Sequence, residues 1–142
     1  MASEQICYQI SVPSRLESLA AVSEFVAQTG QTLGLEPEQT HRLQLAADEA
    51  CTNLILHGQV AESHGERMIT LDLCRTRDRC ILTLRDHGRP FDLTALPAPR
   101  LKTDLRRRRP GGLGVYLIRT LMDEVTYRSE DGVNTLTMIK RL

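Results

Sequence analysis

Glu49 and Asn53 stand four residues apart in a segment that is otherwise largely apolar. Residues at i and i+4 share a helix face, with Cβ atoms about 5–6 Å apart. A carboxylate there could take a proton from an attacking hydroxyl or water. An amide oxygen one turn on could ligate a hard cation such as Mg²⁺. An ordinary amphipathic helix with two solvated polar residues would carry the same pair. A second group is Asp86-His87-Gly88, at the end of an alternating segment. The aspartate could accept a hydrogen bond from an exocyclic amino group such as that of adenine, and Gly88 would let a ring approach the backbone. A plain turn after a strand favours the same residues. The third group is Gly111-Gly112-Leu113-Gly114, where backbone N–H groups and a helix N-terminus could face a phosphate. It lacks the Walker lysine–hydroxyl pair and the spacing of a dinucleotide fingerprint, and a hinge at a loop–helix junction would look alike. Taken in order, the three groups suit a nucleotide's metal, base and phosphates.

The elements that must position these groups follow from periodicity. Ile6 to Val12 alternates with period two and predicts a strand closed by Pro13. Ser14 and Glu17 have the spacing of a capping box. The helix after them, with Leu16, Leu19, Val22 and Val26 near one face, is expected to end at Gly30 and Gly34. Pro37 suits the first turn of a second helix, which carries Leu43, Ala47, Ala50 and Leu54 inward and stops at Gly58. Met68–Cys74 and Cys80–Asp86 read as strands around a hairpin loop at 75–79. Four prolines between positions 90 and 110 predict a long loop, a lid over about 92–111. A short third helix covers Val115–Leu121, and strands Glu124–Arg128 and Asn134–Lys140 flank an Asp131-Gly132 turn. Short connections between consecutive strands favour antiparallel pairing. The expected fold is α+β, a two-layer sandwich with a mixed, mostly antiparallel sheet and its helices on one face, in a single domain over 1–142.

The chain has 142 residues, 41% of them hydrophobic and 25% charged, as in ordinary globular domains. Its 18 basic and 18 acidic residues cancel to a net charge of +0, which argues against general binding to nucleic acid or an anionic membrane. The charge is unevenly spread. Residues 100–109 hold Arg100, Lys102, Arg106, Arg107, Arg108 and Arg109 against Asp104, a net +5, so the remainder carries −5. No apolar run approaches the ~18 residues of a membrane span, and no targeting pattern opens the sequence. Cys7, Cys51, Cys74 and Cys80 contain no C-x-x-C pair, so four buried thiols in a reducing cytoplasm are expected rather than disulfides or a zinc site.

The ordered set of motifs resembles the GHKL (Bergerat-fold) ATPase superfamily, in particular the small anti-sigma-factor serine kinases of the RsbW type. Glu49-Ala-Cys-Thr-Asn53-Leu-Ile-Leu-His57-Gly58 matches that family's N-box. Asp86-His-Gly88-Arg-Pro-Phe91-Asp92 matches its adenine box, with Pro90 where many relatives carry a second glycine. Gly111 to Glu124 matches its glycine box and the helix after it, and Thr135 falls where the family has a threonine near the adenine. The likeness runs from Ile6 to Leu142.

The resemblance implies ATP·Mg²⁺ binding under a mobile lid. Glu49 would be the general base for a protein serine hydroxyl and Asn53 the Mg²⁺ ligand. Asp86 would read the adenine. Gly88, Gly112, Leu113, Gly114 and Thr135 would line the nucleotide. The basic run reads as a lid whose cations, Lys102 or one of Arg106–Arg109, meet the γ-phosphate or an acidic partner, or else as a plainly solvated loop. The implied substrate is a serine on a STAS-domain anti-anti-sigma protein. A sigma factor is a second possible partner, and homodimers are common in this family. Two other function classes stay open: a non-catalytic ATP-binding module that captures partners as an anti-sigma factor or phosphatase regulator, and a nucleic-acid binder. No aromatic residues interleave with the arginine run to stack bases, which sets the last aside.

Overall fold

The computed structural model describes residues 4–58, 67–95 and 112–142. Five strands, β1 (Ile6–Pro13), β2 (Met68–Arg75), β3 (Arg79–Asp86), β4 (Glu124–Glu130) and β5 (Val133–Arg141), form one sheet in the order β1-β2-β3-β5-β4. Every neighbouring pair is antiparallel. Among the described residues the helices are α1 (Leu19–Thr32), α2 (Pro37–His57) and α3 (Gly112–Leu121), with 3-10 turns at Leu16–Ser18 and Leu93–Ala95. The expected α+β sandwich is therefore the observed fold.

Alternation decides which side of the sheet the helices cover. The register places Leu73, Leu82 and Met138 in one row across three strands and Leu71, Leu84 and Leu136 in the next, and all six are buried. Against these rows lie Val22 and Val26 of α1, and Leu43, Ala46, Ala47, Ala50, Cys51, Leu54 and Ile55 of α2. The α2 spacing of three and four residues makes one continuous apolar stripe, and its three alanines add little bulk between helix and core. The other face of the sheet is mostly polar, apart from a row of Cys74, Ile81 and Ile139. There Gln9 donates to Asp72 (2.7 Å), Arg85 pairs with the same carboxylate (2.5 Å), and Ser11 meets Thr70 (3.0 Å).

Several local expectations are corrected. Ser14 does not cap a helix: its hydroxyl is buried without a hydrogen-bond partner, and the chain enters α1 through the 3-10 turn, capped by Arg15 without a side-chain bond. Gly30 does not end α1. It lies buried inside the helix, facing the Thr40 side chain so closely that a Cβ would collide with it. Pro37 does open α2 and Gly58 follows its end, as the spacing predicts.

The cysteines divide into two kinds. Cys7, on the exposed edge strand, sits directly opposite Cys74 and is joined to it by a disulfide, against the expectation of four free thiols. Strand pairing brings their Cα atoms to 4.1 Å across a separation of 67 residues, which spacing alone cannot reveal. Cys51 and Cys80 are free and buried. Most of the expected lid, with Lys102 and the arginines at 100 and 106–109, lies outside the described residues.

Candidate nucleotide and phosphoryl-transfer site

Glu49 and Asn53 occupy successive turns of α2, as their spacing requires. The Asn53 side chain is buried, and its Nδ2 donates to the Glu49 carbonyl oxygen at 2.8 Å. That bond fixes the amide and turns its oxygen away from the helix backbone. Glu49 is half-buried. Burial, with the neighbouring Asp48 charge adding to it, raises its carboxyl pKa above the ordinary value. A carboxylate so tuned is a better proton acceptor than a free one.

The C-terminal end of α2 is latched to the end of β3. Arg89 donates its backbone N–H to the Gly58 carbonyl (3.1 Å), and the His57 ring stacks on Phe91 with centroids 4.6 Å apart. Between these contacts lies a notch holding the carboxylate of Asp86, which is 2% exposed. Asn134 donates from Nδ2 to Asp86 Oδ1 (3.0 Å) and to the Gly88 carbonyl (2.9 Å). The oxygen of that amide accepts from the hydroxyls of Ser129 (2.7 Å) and Tyr127 (3.3 Å), and the Tyr127 hydroxyl accepts the Phe91 N–H (3.0 Å). Arg67, just before β2, reaches in from the other side and pairs through Nη2 with Asp86 Oδ2 at 3.4 Å.

The structure thus brings Asp86 and Gly88 to the end of the helix that carries Glu49 and Asn53. Gly112, Leu113 and Gly114 form the start of α3, which packs against α2. Thr135 is not brought to the notch. It pairs with Arg85 and Arg128, and on a strand of period two that places it on the face away from the helices. Asn134, directly opposite Asp86, takes the position expected of Thr135. Lys102 is outside the described residues. Arg67, Tyr127, Ser129 and Asn134 were not among the expected site residues. Only the strand register identifies the last three, and no sequence signal marks Arg67.

In this structure the Arg67 guanidinium, which pairs with Asp86, fills the notch. Its walls are backbone at Gly58 and Gly88, where a Cβ on Gly88 would lie 2.5 Å from the Gly58 carbonyl oxygen, and its floor is a buried carboxylate able to accept from an amino group. The oxygen donors of Glu49 and Asn53 suit Mg²⁺, which prefers carboxylate and amide oxygens.

The histidine kinase-like ATPase domain family matches residues 12–140. The chain is 29% identical to the serine-protein kinase RsbW of Bacillus subtilis over 94% of its own length and 84% of that protein's. It is 30% identical to RsbW of Halalkalibacterium halodurans, over 94% and 82%. Among solved structures, one of the RsbU and RsbW domains of a Mycobacterium tuberculosis protein superposes with a TM-score of 0.64 at 14% identity, covering 96% of this chain and 32% of that one. The SiaB–SiaC complex of Pseudomonas aeruginosa gives 0.57 at 13%, covering 96% and 89%. At such identities the structural likeness speaks for the fold alone. With the sequence match across its length and the site just described, the chain belongs to the histidine kinase-like ATPase family, on the branch of the RsbW-type serine-protein kinases.

Proposed function

We propose that this chain is an ATP-dependent serine-protein kinase acting in the cytoplasm as a regulatory switch. It phosphorylates a serine on a STAS-domain anti-anti-sigma protein and, in its alternative partnership, holds a sigma factor as a homodimer, thereby regulating transcription. The observation that carries the reading is Glu49: a half-buried carboxylate of raised basicity, one turn from a buried amide, on a helix latched to the Asp86–Gly88 notch.

In this reading Asp86 accepts from the base's amino group and Gly88 leaves room for the ring. Asn53, through its carboxamide oxygen, would hold Mg²⁺, with Glu49 nearby. Gly112, Leu113 and Gly114 would face the phosphates from the N-terminus of α3, and Lys102 would meet the γ-phosphate. The bound nucleotide supplies the phosphoryl group and a leaving ADP. Glu49 takes the proton of the substrate serine as its Oγ bonds to phosphorus, and holds it as a carboxylic acid until solvent removes it.

The test is phosphate transfer to a STAS-domain substrate. Glu49→Ala should abolish transfer while ATP still binds. ATP binding without transfer by the unaltered protein would instead favour the non-catalytic partner-capture module.

A further inference from the structure

Both oxygens of the Asp86 carboxylate already have protein donors: Oδ1 takes Asn134 Nδ2, and Oδ2 takes Arg67 Nη2. The Arg67 guanidinium also fills the side-chain-free space beside Gly88. A Cβ there would overlap the guanidinium, lying 2.5 Å from its central carbon, and a Cβ on Gly58 would lie 3.1 Å from Nη2. That is the volume a base must enter to reach Asp86. We propose that Arg67 is an internal competitor for the base-binding notch, and that nucleotide binding requires its guanidinium to swing out and surrender Asp86 Oδ2. The proposal rests on the nucleotide reading above.

The quality of the Arg67 contacts supports a displaceable occupant. Its ion pair is single and long at 3.4 Å, not the two-pronged pairing that guanidinium and carboxylate can reach. Its Nε is buried with no hydrogen-bond partner, a cost that departure relieves. The backbone carbonyl of Arg67 accepts from the Ser14 N–H at 2.7 Å, so the main chain is held while the long side chain can move. The exchange conserves hydrogen bonds on the carboxylate, because an exocyclic amino group on the base replaces the guanidinium as donor to Oδ2. A base without a donor at that position leaves Oδ2 unpaired in a buried notch. Arg67 therefore lowers affinity for every occupant and raises the requirement for an amino donor.

Calorimetric titration of the unaltered chain, Arg67→Ala and Arg67→Gln with a non-hydrolysable ATP analogue and Mg²⁺ tests the assignment. Arg67→Ala should tighten binding about tenfold or more, the factor being set by the small fraction of molecules in which the notch stands open. Arg67→Gln keeps a polar stem but loses charge and fork, and should shift affinity in the same direction. Equal affinity across the three, or weaker binding by the variants, overturns the proposal and leaves the nucleotide reading intact. Absence of binding by all three overturns both.

Discussion

Asn134 spends both amide hydrogens on the notch, one on Asp86 Oδ1 and one on the Gly88 carbonyl, while its oxygen is held by Ser129 and Tyr127. A single side chain thereby sets both the carboxylate and the backbone beside it. Its amide orientation is assigned by these neighbours, since the Gly88 carbonyl can only accept.

Replacing Asn134 by Ala should cost about 1–3 kcal/mol of stability, because it leaves buried acceptors unpaired. It should also weaken ATP binding. Thr135→Ala, on the opposite face of the same strand, should leave ATP affinity within about twofold, in keeping with the small effects of substitutions away from a site. Urea unfolding and calorimetry read the two quantities. Comparable losses for the two variants would contradict the facing assigned to β5.

That contrast shows what could be read in advance. Alternation and i, i+4 spacing are local, so the strands, α2 and the Glu49–Asn53 pair were legible residue by residue. Cross-strand partnership is non-local. Asn134 and Thr135 are adjacent polar residues, and only the pairing with β3 says which of them faces Asp86. The Cys7–Cys74 link and the reach of Arg67 were hidden for the same reason. The capping-box spacing of Ser14 and Glu17 was legible but misleading, because the backbone there takes a 3-10 turn before α1.

Glu49→Gln should lower the transfer rate by about 10²–10⁴-fold, the usual worth of a general base, with ATP affinity little changed. Because the Glu49 pKa is raised in the free protein, the acid limb of kcat/KM should lie above the ordinary carboxyl range, with activity lost as pH falls through it. Asp48→Asn removes a like charge and should move that limb to lower pH. The stability effect runs the other way. A carboxyl whose pKa is raised by folding favours the native state only while protonated, and that contribution is lost as pH rises through the folded pKa. Near neutral pH, Glu49→Gln should therefore raise Tm slightly while it destroys activity.

Asp131 and Gly132 both have positive φ, 52° and 78°, as a two-residue hairpin turn between β4 and β5 demands. Nothing lies within 4 Å of a Cβ built on Gly132. Gly132→Ala should then cost only the backbone term, about 1–2 kcal/mol, measurable as a shift in denaturation midpoint without a change in slope. A larger loss would point to contacts that the turn does not show.

Reduction of Cys7–Cys74 should lower stability by about 2–4 kcal/mol, the usual range for a native bridge, and Cys7→Ser should reproduce the loss without reductant. The free thiols should resist alkylation in the native protein. Burial, reinforced by the Asp48 charge, pushes the Cys51 pKa up to about 12, and burial raises that of Cys80, so little thiolate exists at pH 8. Rapid labelling of either by iodoacetamide would contradict their placement in the core.

β3 is bonded on both sides, to β2 through Cys80–Arg85 and to β5 through Arg79–Asp86, whereas β1 and β4 are each bonded on one side only. Strands held on two sides open last, and edge strands fray first. Asp86 ends a strand bonded on two sides and is itself paired with Asn134 of β5, while Tyr127 and Ser129 belong to an edge. In amide hydrogen exchange the carboxylate's own strand should be the slowest part of the molecule, and the hydroxyls that orient Asn134 should lie on a faster one. The acid at the floor of the notch would thus outlast, in each opening event, the scaffolding that aims its partner.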